Sequence, residues 1–361
     1  MQVAASPVPK SPFPGFDGLR LVAALSVLFS HAFLIAEGSE AREPLRHLLG
    51  PGNIAGLYGV FTFFIISGFL LTGSLSKQAG MVQFSINRFL RIVPGFLFCL
   101  LATSLLIGAW VTPLDLRAYF ARAETYAYIG SSLLCLCDSW ENPFQFAAYP
   151  NLVGVKNGSL WSLSYEVLSY LFLLWLWTLS RRPLVVAGAA GVAALAAVLS
   201  PSANKMMPGI AYTLPYFAGG VVMYAVYQRF GTTPRLAWLS LAVLCASALG
   251  GLQHYAFAIF GAYLVVFLAE RGNIGSRFAH RWGDWSYGAY LFGWPVEQLV
   301  QQLTGLQSGW QLFVCSLPCV LGCAAVSWWV IEKPCLALKK LTGRLSAPSA
   351  RWSTPWSAAR G

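Results

Sequence analysis

About ten stretches of this chain, each close to twenty residues long, are too apolar to be left in water. They lie near residues 17 to 36, 55 to 75, 92 to 112, 160 to 180, 183 to 200, 209 to 228, 236 to 252, 255 to 269, 285 to 303 and 310 to 331. About 20 residues of α-helix cross the ~30 Å hydrocarbon core of a bilayer. The expected fold is therefore all-α, a polytopic integral membrane protein of about ten transmembrane helices. Composition agrees, since only 10% of the residues are charged against about 25% in soluble domains.

A formal net charge of +11 would suit a nucleic-acid binder, but its placement argues for topology instead. Lys77, Arg88 and Arg91 follow the second run, Arg181 and Arg182 the fourth, Arg229 and Arg235 the sixth, and Arg271, Arg277 and Arg281 the eighth. The intervening loops are acidic or weakly charged. By the positive-inside rule both termini are expected in the cytoplasm, with an even number of spans. The organisation that follows is a cytoplasmic segment over 1–15, a transmembrane domain over 16–335 and a polar, basic tail over 336–361. No apolar h-region precedes the first span, so no cleavable signal peptide is visible. The long connection at about 113–159 is expected outside as a lid or acceptor-binding wall, its first part semi-amphipathic and its second loop-like. Membrane lipids are partners by necessity, and nucleic acid is not expected.

The eight cysteines show no metal-binding spacing, and no metal site is expected. Cys315, Cys319 and Cys323 recur every four residues and read as small residues of a helix-packing stripe. Cys135 and Cys137 are close to the outer loop, but pairing of such near neighbours reads as geometrically poor.

Polar residues inside the spans carry the functional information. In "FDGLRLVAALSVLFSHAFLIA", Arg20 and His31 are eleven residues apart, about 1100° of helical rotation and so about 20° from three full turns. They share a face roughly 16 Å apart along the axis. Asp17 lies near the same line and three residues before Arg20, where an ion pair is favoured. Arg20 alone also fits snorkelling to lipid phosphates, and His31 alone fits packing. Together they suggest a cavity-facing seam. In "FSINRFLRIVP", Arg88 and Arg91 stand at i and i+3, suited either to topology or to clamping phosphate. In "NGSLWSLSYEVLSYLF", Ser162, Glu166, Ser169 and Tyr170 form one polar stripe. In "WGDWSYGAYLFGWPVEQL", Asp284, Ser286 and Tyr287 open a span and Glu297 follows Pro295. Its tryptophans read as interfacial or packing residues.

Acyl transfer from a cytoplasmic thioester to an alcohol would use these parts. The hydroxyl needs a base poised near neutrality, for which the imidazole of His31 is suited. Arg20, Arg88 and Arg91 would hold the charged end of the donor, and Glu166 would orient or stabilise the imidazole. Composition and spacing alone do not establish this reaction.

The same motifs, in order, resemble the acyltransferase 3 family of polytopic inner-membrane O-acyltransferases. The resemblance covers "FDGLRLVAALSVLFSHA", "GVFTFFIISGFLLTGSL", "FSINRFLRIVP", "NGSLWSLSYEVLSYL", "WSYGAYLFGWPV" and "VIEKP". The family's basic residue and histidine of the first span fall on Arg20 and His31, its RxxR pattern on Arg88 and Arg91, and its WSLSxE pattern on Trp161, Ser162, Ser164 and Glu166. The resemblance implies acetyl-CoA as donor, a polysaccharide, lipid-linked sugar or related glycan as acceptor, and the bacterial inner membrane as location. Asp17, Trp161, Ser162, Ser164 and Tyr287 are the expected substrate-binding residues.

Two departures matter. Phe61 replaces a residue that is often polar in the family, and Gly293 a frequent histidine, which throws the weight of base catalysis onto His31. A transporter or flippase of a glycolipid or small anion is the alternative, though no internal repeat is apparent.

Overall fold

The computed structural model describes residues 13–77, 80–138, 155, 157–200, 208–272 and 281–339. All regular structure among them is helical. Ten longer helices follow in order. They are α1 (Phe16–Glu37), α2 (Ala55–Ser76), α3 (Met81–Ala102), α4 (Trp161–Leu179), α5 (Pro183–Leu199), α6 (Pro208–Phe230), α7 (Pro234–Leu249), α8 (Gln253–Ala256, continuing through a π-turn into Ala262–Arg271), α9 (Ser286–Thr304) and α10 (Gly309–Val326). Seven helical segments among the described residues are long and apolar enough to cross a membrane. Of the rest, α5 and α7 have 17 and 16 residues, only about 24–26 Å at 1.5 Å per residue, while α9 carries buried Glu297, Gln298 and Gln301.

The helix ends follow local chemistry. Gly38 takes a left-handed conformation (φ 67°) that stops α1, as glycine does at the residue after a helix. Prolines open α5 and α7, where a missing N–H costs nothing. The third helix begins at Met81, eleven residues before the apolar run expected near 92. "FSINRFLRIVP" is therefore helical throughout, with Pro94 inside it.

The core is built around α2, which packs on α1 and α6. Small residues permit this closeness. A Cβ on Gly59 would lie 2.5 Å from the Ala23 carbonyl oxygen of α1, and one on Gly220 of α6 would lie 2.1 Å from that of Ile65. On its other side α1 meets α9 and α10. The buried stripe of α10 is Leu312, Ser316, Val320 and Ala324. This corrects the expected cysteine stripe: Cys315 and Cys319 are exposed, one residue off the packing face. The face is set by Ser316, which donates to Glu297 (3.5 Å), and by Ala324, against which Gly288 packs with no room for a Cβ.

Pro295 has no N–H for the Leu291 carbonyl one turn earlier. That buried acceptor is satisfied from elsewhere: Asn157 Nδ2 donates to it at 2.8 Å and Cys99 Sγ at 3.4 Å. The proline thus anchors the chain entering α4 against α9.

The semi-amphipathic outer segment forms two helices, Leu116–Ala121 and Ala123–Cys135, locked onto the end of α3. Tyr119 donates to the Ser104 carbonyl (2.6 Å) and Ser104 to that of Thr125 (2.8 Å). Cys135 and Cys137 are disulfide-bonded, correcting the expectation that they would not pair. Leu136 between them adopts a left-handed backbone (φ 52°), unusual for a branched side chain. The turn brings the two Cα atoms to 5.3 Å. If this segment lies outside, an impermeant maleimide on intact cells will label the pair only after impermeant reduction. Labelling insensitive to reduction, or none, would count against that topology. Residues 139–154 and 156 of the expected lid lie outside the described residues, as do 1–12 and 340–361.

Candidate active site

Four helices, α1, α2, α4 and α9, line two cavities placed end to end, and α3 closes the inner one. The inner one, about 70 Å³, is lined by Arg20 of α1, Ser67 of α2, Arg88 and Arg91 of α3, Glu166 and Tyr170 of α4, and Tyr287 and Tyr290 of α9, among others. The outer one, about 290 Å³, is lined by His31 of α1, Gly56 and Val60 of α2, Trp161 of α4, Tyr290 and Trp294 of α9, and Glu40 from the loop after α1. Each of α1, α2, α4 and α9 contributes to both cavities in the order its direction requires. On α1, Arg20 is inner and His31 outer. On α4, which runs the opposite way, Trp161 is outer and Glu166 inner.

The inner cavity is cationic, but its arginines are not equivalent. Arg91 is held in a network, its Nη2 2.5 Å from Asp284 Oδ2 and its Nη1 3.6 Å from Glu332 Oε2. Ser286 donates to Asp284 through its backbone N–H (3.2 Å) and its hydroxyl, while Ser327 donates to Glu332 (2.9 Å). The π-turn Ser327–Glu332 after α10 delivers this last carboxylate. Arg20 pairs with Asp17 (3.4 Å) and reaches Asp284 at 4.0 Å. Arg88 is different: its Nε is buried without a hydrogen-bond partner, and no carboxylate lies within 4.0 Å of it among the described residues. It is the guanidinium with donors to spare for a ligand. Just beyond α10, burial first, and then Arg88, Arg91 and Arg20, push the Lys339 ammonium down to about 8. The Lys339 ammonium thus feels the field of the same three arginines.

Glu166 accepts from Tyr170 and, at 3.4 Å, from Ser67. It does not meet His31. Five residues from Trp161 toward the inner side, it is about 8 Å deeper along α4 and lines the other cavity. The orienting role expected for Glu166 is thus not one this geometry provides.

His31 stands edge-on to Trp294, ring centroids 4.8 Å apart, and its Nδ1 is buried without a hydrogen-bond partner. The carboxylate sharing its cavity is Glu40, paired with Arg46 at 3.3 Å. Burial pushes the Glu40 carboxyl above the ordinary range, opposed by Arg46. The loop is pinned by the fully buried Glu43, which accepts from the N–H groups of Arg46 (2.8 Å) and Ala55 (3.1 Å) and from Ser30 (3.4 Å).

Of the other expected residues, Trp161 lines the outer cavity and Tyr287 the inner, its hydroxyl donating to the Ile92 carbonyl (2.8 Å). Ser162 lines the inner cavity and is bonded to Tyr290 (2.7 Å). Asp17 is exposed and Ser164 turns back to the Trp161 carbonyl (3.3 Å); neither lines either of these two cavities. At the two departures, Phe61 stacks on Tyr216 and Gly293 faces Leu28, whose Cδ1 would lie 3.2 Å from an added Cβ. Sequence reasoning took Trp294 for packing and passed over Tyr290 and Glu40. The available signal was Tyr287, Tyr290 and Trp294 at i, i+3 and i+7, one face of α9. A larger apolar cavity, about 590 Å³ between α5, α6, α7 and α8, holds no carboxylate, imidazole or cation with which to run this chemistry.

The acyltransferase domain model matches residues 13–332. The chain belongs to the acyltransferase 3 family. This acyltransferase is 25% identical over 334 residues to an O-acetyl transferase of Shigella phage Sf6, covering 88% of the chain and 94% of the relative. It is 26% identical over 348 residues to nodulation protein 10 of Rhizobium leguminosarum bv. viciae, covering 90% and 93%. It is 27% identical over 376 residues to the acyltransferase MdmB of Streptomyces mycarofaciens, covering 90% and 92%. No solved structure matches. The chain is thus an enzyme, an acyltransferase with transmembrane helices.

Proposed function

We infer that this acyltransferase moves an acyl group, in the first instance acetyl, from cytoplasmic acyl-CoA to a hydroxyl of a surface polysaccharide, lipopolysaccharide or other glycan. The observation that carries this is the in-line pair of cavities, one cationic with an unspent arginine, the other holding an imidazole. The relative named as an O-acetyl transferase supports acetyl as the group. In this reading α5, α7 and α9 also cross the membrane, making ten spans with both termini in the cytoplasm of a bacterial inner membrane.

Arg88, Arg20 and Lys339 hold the phosphates of the donor at the inner mouth, where several charge-assisted bonds act together. The pantetheine arm runs along α1 and places the thioester near His31. The acceptor enters the outer cavity between Trp161 and Trp294, whose rings suit the apolar faces of a sugar. His31 takes the hydroxyl proton as the oxygen bonds to the carbonyl carbon. The C–S bond then breaks, and the departing thiolate recovers the proton. An acyltransferase assignment leaves the transporter alternative without a specific observation in its favour.

The test is thiol release from acetyl-CoA by the purified protein in nanodiscs with an added glycan preparation, paired with mass spectrometry of surface glycans from cells with and without the gene. Glycan-dependent CoA release and a lost acetyl mass are expected; neither appearing would refute the reading. A pH dependence follows from Lys339. Its charge is full only well below about 8 and is lost as the pH rises through that value. The KM for acetyl-CoA should therefore rise above pH 8 in the wild type, and the rise should be absent in Lys339→Met. Parallel profiles for the two proteins would remove Lys339 from the donor site.

A further inference from the structure

Tyr290 lines both cavities, and its position on α9 explains why. It stands one turn beyond Tyr287, which faces the inner cavity, and one turn before Trp294, which faces the outer. The three residues form an aromatic column about 10 Å long. Its ring packs against Phe63 of α2, centroids 5.7 Å apart, and is 7% exposed. Its hydroxyl hydrogen is committed, because Tyr290 donates to the carbonyl of Ser159, which can only accept. The bond with Ser162 at 2.7 Å must therefore run from the serine to the tyrosine oxygen. The chain Ser162 to Tyr290 to Ser159 is closed, with no donor left for substrate.

The anchor of that chain is also fixed. Asn157, two residues before Ser159, accepts from the Ser159 N–H (3.1 Å) while donating to the carbonyl freed by Pro295. The proline of α9 thereby holds in place the carbonyl that latches a tyrosine of the same helix.

The structure assigns Tyr290 as a latched septum between the donor and acceptor cavities, deciding whether the acyl group reaches an acceptor or is lost to water. This rests on the acyl-transfer reading above. With the ring in place, water in the outer cavity is separated from a thioester still waiting in the inner one, before it advances to His31 for transfer. With it displaced, the water oxygen bonds to the thioester carbonyl carbon and His31 takes its proton. The C–S bond breaks with its electron pair going to sulfur, and the thiolate recovers the proton, giving acetic acid and CoA. Excluding this side reaction is a recognised use of closure around a reactive group. Tyr290 is a positioning residue in this scheme.

Two measurements test it on the full-length protein. The first needs no donor chemistry. Ser67 lines only the inner cavity, so in intact cells Ser67→Cys should resist an impermeant thiol reagent added outside, over the background of the parent chain, and become labelled when combined with Tyr290→Ala. The second is CoA release from acetyl-CoA in nanodiscs without acceptor. Tyr290→Phe keeps the ring but removes the latch, and should raise this hydrolysis about five-fold, the population shift expected from losing one net hydrogen bond. Ser162→Ala should act in the same direction, and adding His31→Ala should abolish the gain. Identical labelling with and without Tyr290→Ala, or hydrolysis unchanged in both latch variants of a protein that turns over acetyl-CoA, would overturn the septum. If labelling opens as expected but no protein, wild type included, consumes acetyl-CoA, the septum stands and the acyl-CoA reading falls.

Discussion

Replacing His31 by Ala is expected to lower acyl transfer about 10²- to 10⁴-fold, the usual worth of a general base, with the KM for acetyl-CoA unchanged. The split follows from the geometry. His31 lines the outer cavity, while the cations available for the donor lie in or beside the inner one, so losing the imidazole removes chemistry and leaves donor binding. A purely packing role would give a different pattern. His31 is edge-on to Trp294, and truncation would then loosen α1 against α9 and reduce the yield of folded protein. His31→Gln, closer in size, separates the two: it should fold like wild type and be as inactive as Ala. Added imidazole should restore part of the activity to His31→Ala by occupying the vacated space, and should do nothing for Gln. Full activity in either variant would sink the mechanism.

The apolar helices, and the face that Arg20 and His31 share on α1, were legible because they depend on local quantities. An apolar run of twenty residues and a rotation of 100° per residue need no knowledge of neighbours. The same local reasoning missed what depends on pairs distant in the chain. Glu166 looked like a partner for His31 because both are polar groups within spans. Because α1 and α4 run in opposite directions, the carboxylate falls at the level of the arginines instead. Tyr290 was passed over because a tyrosine within an apolar run is unremarkable until the Ser159 carbonyl is brought to its hydroxyl. The pairing of Cys135 with Cys137 depended on one backbone angle at Leu136 that spacing does not reveal. Pro295 is plain in the sequence, but only the fold shows that the Leu291 carbonyl it leaves free recruits Asn157.

The RxxR pair gives the second large effect, because its two members are expected to fail in opposite ways. Arg91 lies between Asp284 and Glu332, the first of them 193 residues further along the chain. Replacing Arg91 by Gln leaves the buried Glu332 without its cation and the half-buried Asp284 with only Arg20 at 4.0 Å, a loss toward the lower end of the ~3–5 kcal/mol for breaking a buried pair. That is a large share of the ~5–15 kcal/mol stability of a typical domain. Arg91→Gln should therefore give little monodisperse protein on size-exclusion chromatography in detergent. Arg88 makes no such pair, and its unsatisfied Nε makes the empty site the costly state. Arg88→Gln should yield at least as much folded protein as wild type, but with the KM for acetyl-CoA raised about 10- to 100-fold, the cost of losing one or two charge-assisted bonds. A double substitution of Arg91 with Asp284, Arg91→Leu with Asp284→Asn, should recover part of the lost yield by removing one unpaired acid along with the base. Equal defects in folding for the two arginine variants would mean that both are structural. Equal defects in donor KM, with both proteins folded, would restore the symmetric phosphate clamp that the sequence pattern suggests and remove the distinction the ion pairs draw.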